Sequence, residues 1–225
     1  MGLRVYYGGT FDPVHAGHLS VACEVRDALQ ARVFLVPAAD PPHKDVTHAD
    51  AQARARMLDL AIAGEPGLKV DRRELRREGP SYTVDTLRGL REELGPDVPL
   101  VWMIGGDSLL QLHTWNRWRE LFDLAHLLAV ARPGAHLEAV AVAARAPEVE
   151  AEIGPRRCQA IDLNSRAAGG FAVFRLQRER PESSTQLRQR IAAGEAWEDG
   201  VPATVAEYIR RHGLYRVRGV TPASL

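Results

Sequence analysis

The feature that most constrains this chain is a regular alternation, across its N-terminal two-thirds, of short apolar runs with segments of helical spacing. Residues 3–8, 32–38, 100–104 and 127–132 are apolar runs of strand length, and 68–75 alternates with a strand's period. Between them, 19–30, 51–63 and 83–94 place apolar residues at helical intervals. Such alternation predicts an α/β fold: a doubly wound parallel sheet, Rossmann-like, with helices on both faces and right-handed crossovers. Ligands of that class bind beyond the carboxyl ends of the strands, so the loops to watch are 8–18, 37–48, 105–116 and 132–135. Residues 171–176 read as a last strand. Two helices, 184–193 and 202–211, follow it, the first stopping at Gly194. Residues 135–168 are the least readable stretch, a helix with a loose connection. The chain divides into a core over 1–180, a C-terminal helical part over 181–218 and a tail over 219–225.

Composition matters mainly for what it excludes. The 225 residues suffice for one substantial domain. Twenty-nine basic residues balance 29 acidic ones, whereas a dedicated nucleic-acid binder carries a basic excess. No stretch has the length of a membrane span, and the N-terminus carries no signal-peptide pattern. Cys23 and Cys158 lie far apart and match no metal-ligand spacing; Cys23 reads as a buried thiol. These features together suggest a cytoplasmic protein with reduced thiols and no membrane or nucleic-acid partner.

The segment Gly8-Gly9-Thr10-Phe11-Asp12-Pro13-Val14-His15-Ala16-Gly17-His18 carries the clearest chemistry. A strand ends at two glycines, which let an anion approach backbone N–H groups closely. A helix then begins near Ala16, and its unsatisfied N–H groups and dipole favour negative charge. His15 and His18 are three residues apart and project to one side, with Gly17 leaving room between them. Two imidazoles, a positive helix end and exposed backbone together suit a phosphate whose charge develops during reaction. The segment is neither a Walker loop, lacking Gly-Lys-Ser/Thr, nor a GxGxxG fingerprint.

This segment resembles the (H/T)xGH motif of the nucleotidylyltransferase superfamily. A second element, Ser183-Ser184-Thr185-Gln186-Leu187-Arg188, resembles that superfamily's ISSTxIR motif, with Glu182 where an aliphatic residue is usual. Between them the chain is similar to bacterial nicotinate-nucleotide adenylyltransferases: PPHK ending at Lys44, ELRREGPSYTVDTLRGL, IGGDSLLQLHTW, VARPG and VPATVAEYIRRHGLY. The resemblance covers nearly the whole chain and is weakest over 135–168.

The resemblance implies transfer of AMP from ATP to nicotinate mononucleotide, with Mg2+ arriving on ATP and no protein-built metal cage. It assigns His15, His18 and Arg188 to catalysis. Gly8, Gly9, Thr10, Phe11, Gly17, Asp107, Arg132, Ser184 and Thr185 fall to ATP binding. Lys44, Tyr82, Thr83 and Trp115 fall to the acceptor: Trp115 for stacking on the pyridine, Thr83 and its neighbours for the nicotinate carboxylate at a helix start. Structural alternatives stand beside several of these. Asp107 fits a helix N-cap, Arg132 a surface ion pair, Lys44 a solvated loop lysine, Thr83 an ordinary first-turn residue, and the serines of SST an N-cap. Trp118, three residues beyond Trp115, reads as core. Nicotinamide mononucleotide or phosphopantetheine as acceptor, a synthetase relative, and a non-catalytic nucleotide-binding module are the competing readings; a homo-oligomer is compatible with the sequence.

Overall fold

The computed structural model describes residues 2–39, 47–77, 79–177 and 181–216. Each apolar run becomes a strand: β1 (Arg4–Gly9), β2 (Arg32–Pro37), β3 (Leu68–Val70), β4 (Leu100–Gly105), β5 (His126–Ala131) and β6 (Phe171–Arg175). They form one all-parallel sheet in the order β3-β2-β1-β4-β5-β6, with Val5 paired to Val33 on one side and Val101 on the other. Strand order therefore reverses between β1 and β4. A parallel sheet needs long crossovers, and these place helices on both faces.

Strand parity sorts the core. On one face Val5, Val33, Leu35, Val101 and Met103 pack under α1 (Ala16–Leu29) and α2 (Ala51–Ala61). On the other, Tyr6, Leu100, Trp102 and Leu127 pack with Val84 and Leu87 of α3 (Thr83–Leu94). The second face also carries the short helices α4 (Gly106–Leu110), α5 (Leu121–Leu124), α6 (Ala139–Arg145) and α7 (Pro147–Ile153). After β6 the chain returns to the first face as α8 (Ser184–Ala193) and α9 (Ala203–His212), whose Leu187, Ile191, Val205 and Ile209 join its core. The C-terminal helices thus share a core with the sheet.

Three local departures from the sequence reading have physical causes. The strand expected over 68–75 stops at Val70, because Asp71 and Arg73 pair with each other and the chain turns into a 3-10 turn over Glu74–Arg76. The single helix expected within 135–168 is two, split at Ala146, where Pro147 cannot extend α6 but suits the first position of α7. Cys23 is half-buried rather than buried, and burial still pushes its thiol up.

The loop after β1 is held by a buried polar clamp. Arg54, 0% exposed on α2, donates to the carbonyls of Thr10 at 2.7 Å, Ala39 at 3.2 Å and Ala49 at 3.2 Å. Asp12, also buried, accepts the N–H groups of His48 at 2.8 Å and Ala49 at 3.2 Å and the Tyr215 hydroxyl at 2.7 Å. Burial opposes the Arg54 charge, and the nearby Asp12 carboxylate offsets part of that cost. Replacing Arg54 with Met should leave three buried carbonyls unpaired and Asp12 without its counter-charge, destabilising the fold by about 3 kcal/mol or more. Urea unfolding measures this; a loss below about 1 kcal/mol would show the clamp to be dispensable.

Candidate active site

β1 ends at Gly9, and within seven residues the chain has turned into α1 with His15 at its N-cap. Phe11 makes the turn possible in an unusual way. It takes φ 52°, left-handed for a bulky residue, and its 2%-exposed ring packs edge-on to Tyr7 and His18. The cost of that backbone conformation is offset by burying the ring. A side chain at Gly9 would run into the Phe11 ring, and one at Gly8 into Trp102. Both glycines are therefore required by packing as well as by any anion approaching their N–H groups.

The two histidines stack, ring centroids 3.7 Å apart. His18 Nδ1 accepts the His15 backbone N–H at 3.3 Å, which leaves Nε2 of a neutral His18 as its N–H donor. His15 is 4% exposed and its Nδ1 has no hydrogen-bond partner among the described residues. Burial, helped by the Arg132 charge, pushes its imidazole down to about 4. Two cationic rings in face-to-face contact would repel; a neutral His15 removes that conflict. Gly17 closes the arrangement, since a Cβ there would lie 3.0 Å from His15 Nδ1.

Two clefts open at the strand ends, one on each side of the β1/β4 reversal. The first, about 170 Å3, is lined by His15, Gly17, His18, Asp107, Arg132 and Tyr7. The second, about 240 Å3, is lined by Gly8, Gly9, Thr10, Tyr82, Thr83 and Trp115. Each falls below the roughly 300 Å3 at which drug-sized pockets begin, so a ligand with two nucleoside-sized halves needs both. Ile104 and Gly105 at the end of β4 line both clefts and form the ridge between them.

The site residues read from sequence therefore separate into groups. His15, His18, Gly17, Asp107 and Arg132 meet in the first cleft; Tyr82, Thr83 and Trp115 meet in the second. Gly8, Gly9 and Thr10, expected with ATP, line the second cleft; for Gly8 the reason is side-chain parity on β1, which turns Tyr7 to one face and Gly8 to the other. Phe11 lines neither cleft and is buried beneath them. Lys44 lies outside the described residues. Asp107 is the second residue of α4 and makes no cap, while Arg132 has no ion pair among the described residues. Trp118 is core, at 6% exposure.

Ser184, Thr185 and Arg188 also line neither cleft; Ser184 and Arg188 act on the loop. Arg188 donates to the Asp12 carbonyl at 2.6 Å and to Thr185 Oγ1 at 3.3 Å, and the Ser184 hydroxyl donates to the Pro13 carbonyl at 3.0 Å. Helix α8 is thereby fastened beside the His15–His18 turn, as the motif pairing in sequence suggested, but by contacts to backbone. Glu182, which stands where an aliphatic residue is usual, faces the first cleft beside Gly17. Sequence reasoning also missed Tyr7, whose phenol burial pushes up to about 12, and Glu74 and Trp102 in the second cleft, which Ser81, the neighbour of Tyr82 and Thr83, also lines. Strand parity could have found Tyr7 and Trp102; nothing local marks Glu74. Among the described residues no cluster of three or more His, Cys, Asp or Glu could hold a metal ion, and no helix is long and apolar enough to cross a membrane.

A parallel sheet reversing at β1/β4, with paired imidazoles at that point, fits a nucleotidylyltransferase, and the chain belongs to the cytidylyltransferase-like family, whose model matches residues 6–190. A Stenotrophomonas maltophilia protein named a probable nicotinate-nucleotide adenylyltransferase is 48% identical, over 96% of this chain and 98% of its own. A Marinobacter nauticus protein of the same name is 46% identical over 97% and 99%. Within the family the chain therefore stands with the nicotinate-nucleotide adenylyltransferases. A Plasmodium falciparum nicotinic acid mononucleotide adenylyltransferase, solved in complex with NaAD, superposes with TM-score 0.71 over 96% of this chain and 98% of its own. At 16% identity that likeness speaks to the fold.

The His15 environment has a testable consequence with a definite sign. An unfolded histidine titrates near 6.5, so as pH falls the unfolded state takes up this proton first. The stability gained by burying neutral His15 should be complete above about pH 6.5, decline below it and be lost by about pH 4. NMR titration of the His15 ring should find it neutral at pH 6; a midpoint near 6.5 would contradict the buried, neutral assignment.

Proposed function

We propose that this chain transfers the adenylyl group of ATP to nicotinate mononucleotide, forming nicotinate adenine dinucleotide and pyrophosphate. The observation that carries this reading is the pair of clefts on either side of the β1/β4 reversal, with the imidazoles of His15 and His18 at the turn beside them. Adenosine would occupy the first cleft, with Arg132 and Asp107 at its wall, and the acceptor ring the second, against Trp115.

The acceptor's phosphate oxygen attacks the α-phosphorus of ATP as the bond to the bridging oxygen breaks and pyrophosphate leaves. That oxygen is anionic at neutral pH, so no general base is needed. Catalysis then consists of alignment and of stabilising charge on the α-phosphate and leaving group. His18 Nε2–H is the donor best placed for this, because its other nitrogen is committed to the His15 N–H. Arg188 and Ser184 serve by fixing the loop that carries both histidines. At the second cleft the free N–H groups at the start of α3, with the Thr83 hydroxyl, favour a carboxylate over a neutral amide.

Magnesium would enter with the triphosphate and shield its charge. The Asp107 and Glu182 carboxylates facing the first cleft suit the waters of such an ion, which usually takes one or two carboxylates and substrate phosphates.

Replacing His18 with Ala should lower kcat by about 100-fold or more while the melting temperature stays near wild type. Steady-state pyrophosphate release checks this, and unchanged turnover would remove His18 from the chemistry. Replacing Trp115 with Ala should raise KM for the mononucleotide about tenfold and leave KM for ATP alone. Running nicotinate and nicotinamide mononucleotides side by side with Mg-ATP tests the acceptor; equal turnover of both would overturn the carboxylate preference.

A further inference from the structure

Glu74 is a buried carboxylate, 4% exposed, in the wall of the second cleft. The reaction gives it nothing to do: the nucleophile is already anionic, and a carboxylate facing an anionic acceptor repels it. Its hydrogen bonds point to another task. Thr86, 0% exposed and one position short of a turn beyond Thr83, donates its hydroxyl to Glu74 Oε1 at 2.7 Å. The same Thr86 oxygen receives an N–H of Arg77 at 3.1 Å, so its own proton is directed at Glu74. Ser81 stands beside the same carboxyl in the cleft wall. Its oxygen accepts the Ala39 backbone N–H at 3.2 Å, and its hydroxyl helps to favour the charged form of Glu74. Thr86 and Ser81 therefore both bear on one carboxylate.

The two hydroxyls bracket Tyr82 and Thr83, the residues at the start of α3 that line the cleft. Through Ala39 the same network holds the chain that leaves β2. We propose that Glu74 is a positioning residue for the acceptor: it fixes the start of α3 and the exit of β2 in the one arrangement that presents the Thr83 end of the helix to the acceptor's anionic group. Burial pushes the Glu74 carboxyl up, while the Thr86 and Ser81 hydroxyls oppose that shift. Glu74 itself touches no reacting atom. This inference rests on the acceptor reading of the second cleft.

The prediction is a split between substrates. Glu74→Ala should raise KM for nicotinate mononucleotide about tenfold or more, with KM for ATP and kcat within about twofold of wild type. Glu74→Gln keeps one acceptor oxygen and should recover most of the loss. If Glu74→Ala does not fold, Thr86→Val, which removes the hydroxyl donor to Glu74 but keeps its shape, should raise the acceptor KM selectively. Equal rises in both KM values, or a Gln variant no better than Ala, would overturn the proposal. Wild-type turnover in the acceptor panel reports separately on the underlying reading; with a different acceptor, the same ratio is read on that one.

Discussion

The architecture of the site depends on how one short loop is held. Between β1 and α1 the chain must reverse direction, carry Phe11 in a left-handed conformation and present two stacked imidazoles. None of that is favourable for an isolated peptide. It is held from below by Arg54, which gathers the carbonyls of Thr10, Ala39 and Ala49, and by Asp12, which gathers two N–H groups and the Tyr215 hydroxyl. From the side it is held by Arg188 and Ser184 on α8. Segments nearly the whole chain apart in sequence thus converge on six residues of loop. Pairing within the clamp offsets part of the cost of burying so much polarity, and losing one member would leave its partners unsatisfied.

This view changes what the second motif does. Read as sequence, Ser184, Thr185 and Arg188 look like phosphate ligands at a helix start. In the structure Ser184 and Arg188 contact the loop's backbone, and Thr185 accepts from Arg188, so the motif acts on the imidazoles' placement. The two accounts are compatible, since a guanidinium with one N–H fixed to a carbonyl retains others for an anion. Chemical work and positioning are then shared between the β1 loop and α8.

Much of the fold was legible because apolar periodicity is a strong signal where a strand is buried on both faces. Strands β1, β2, β4, β5 and β6 lie within a residue or two of their expected spans, and α3 and α8 match theirs. The failures fall where another force competes. Ion pairing of Asp71 with Arg73 truncates β3, and Pro147 divides the helix near 139–153. For the site, residue types with strong chemistry were recoverable: His15, His18, Asp107, Arg132, Thr83 and Trp115 all reach a cleft. What could not be read was direction. Which cleft Gly8 faces depends on strand parity against Trp102, and the setting of Glu74 depends on Thr86 from another element.

The central claim is that the β1/β4 reversal divides one dinucleotide between two clefts. A crystal structure of the chain with nicotinate adenine dinucleotide tests it most directly. The account predicts adenosine between Arg132 and Asp107, the pyridine ring against Trp115 near Thr83, and the bridging phosphates beside His18. A dinucleotide bound the opposite way round, or confined to one cleft with the other untouched, would contradict it.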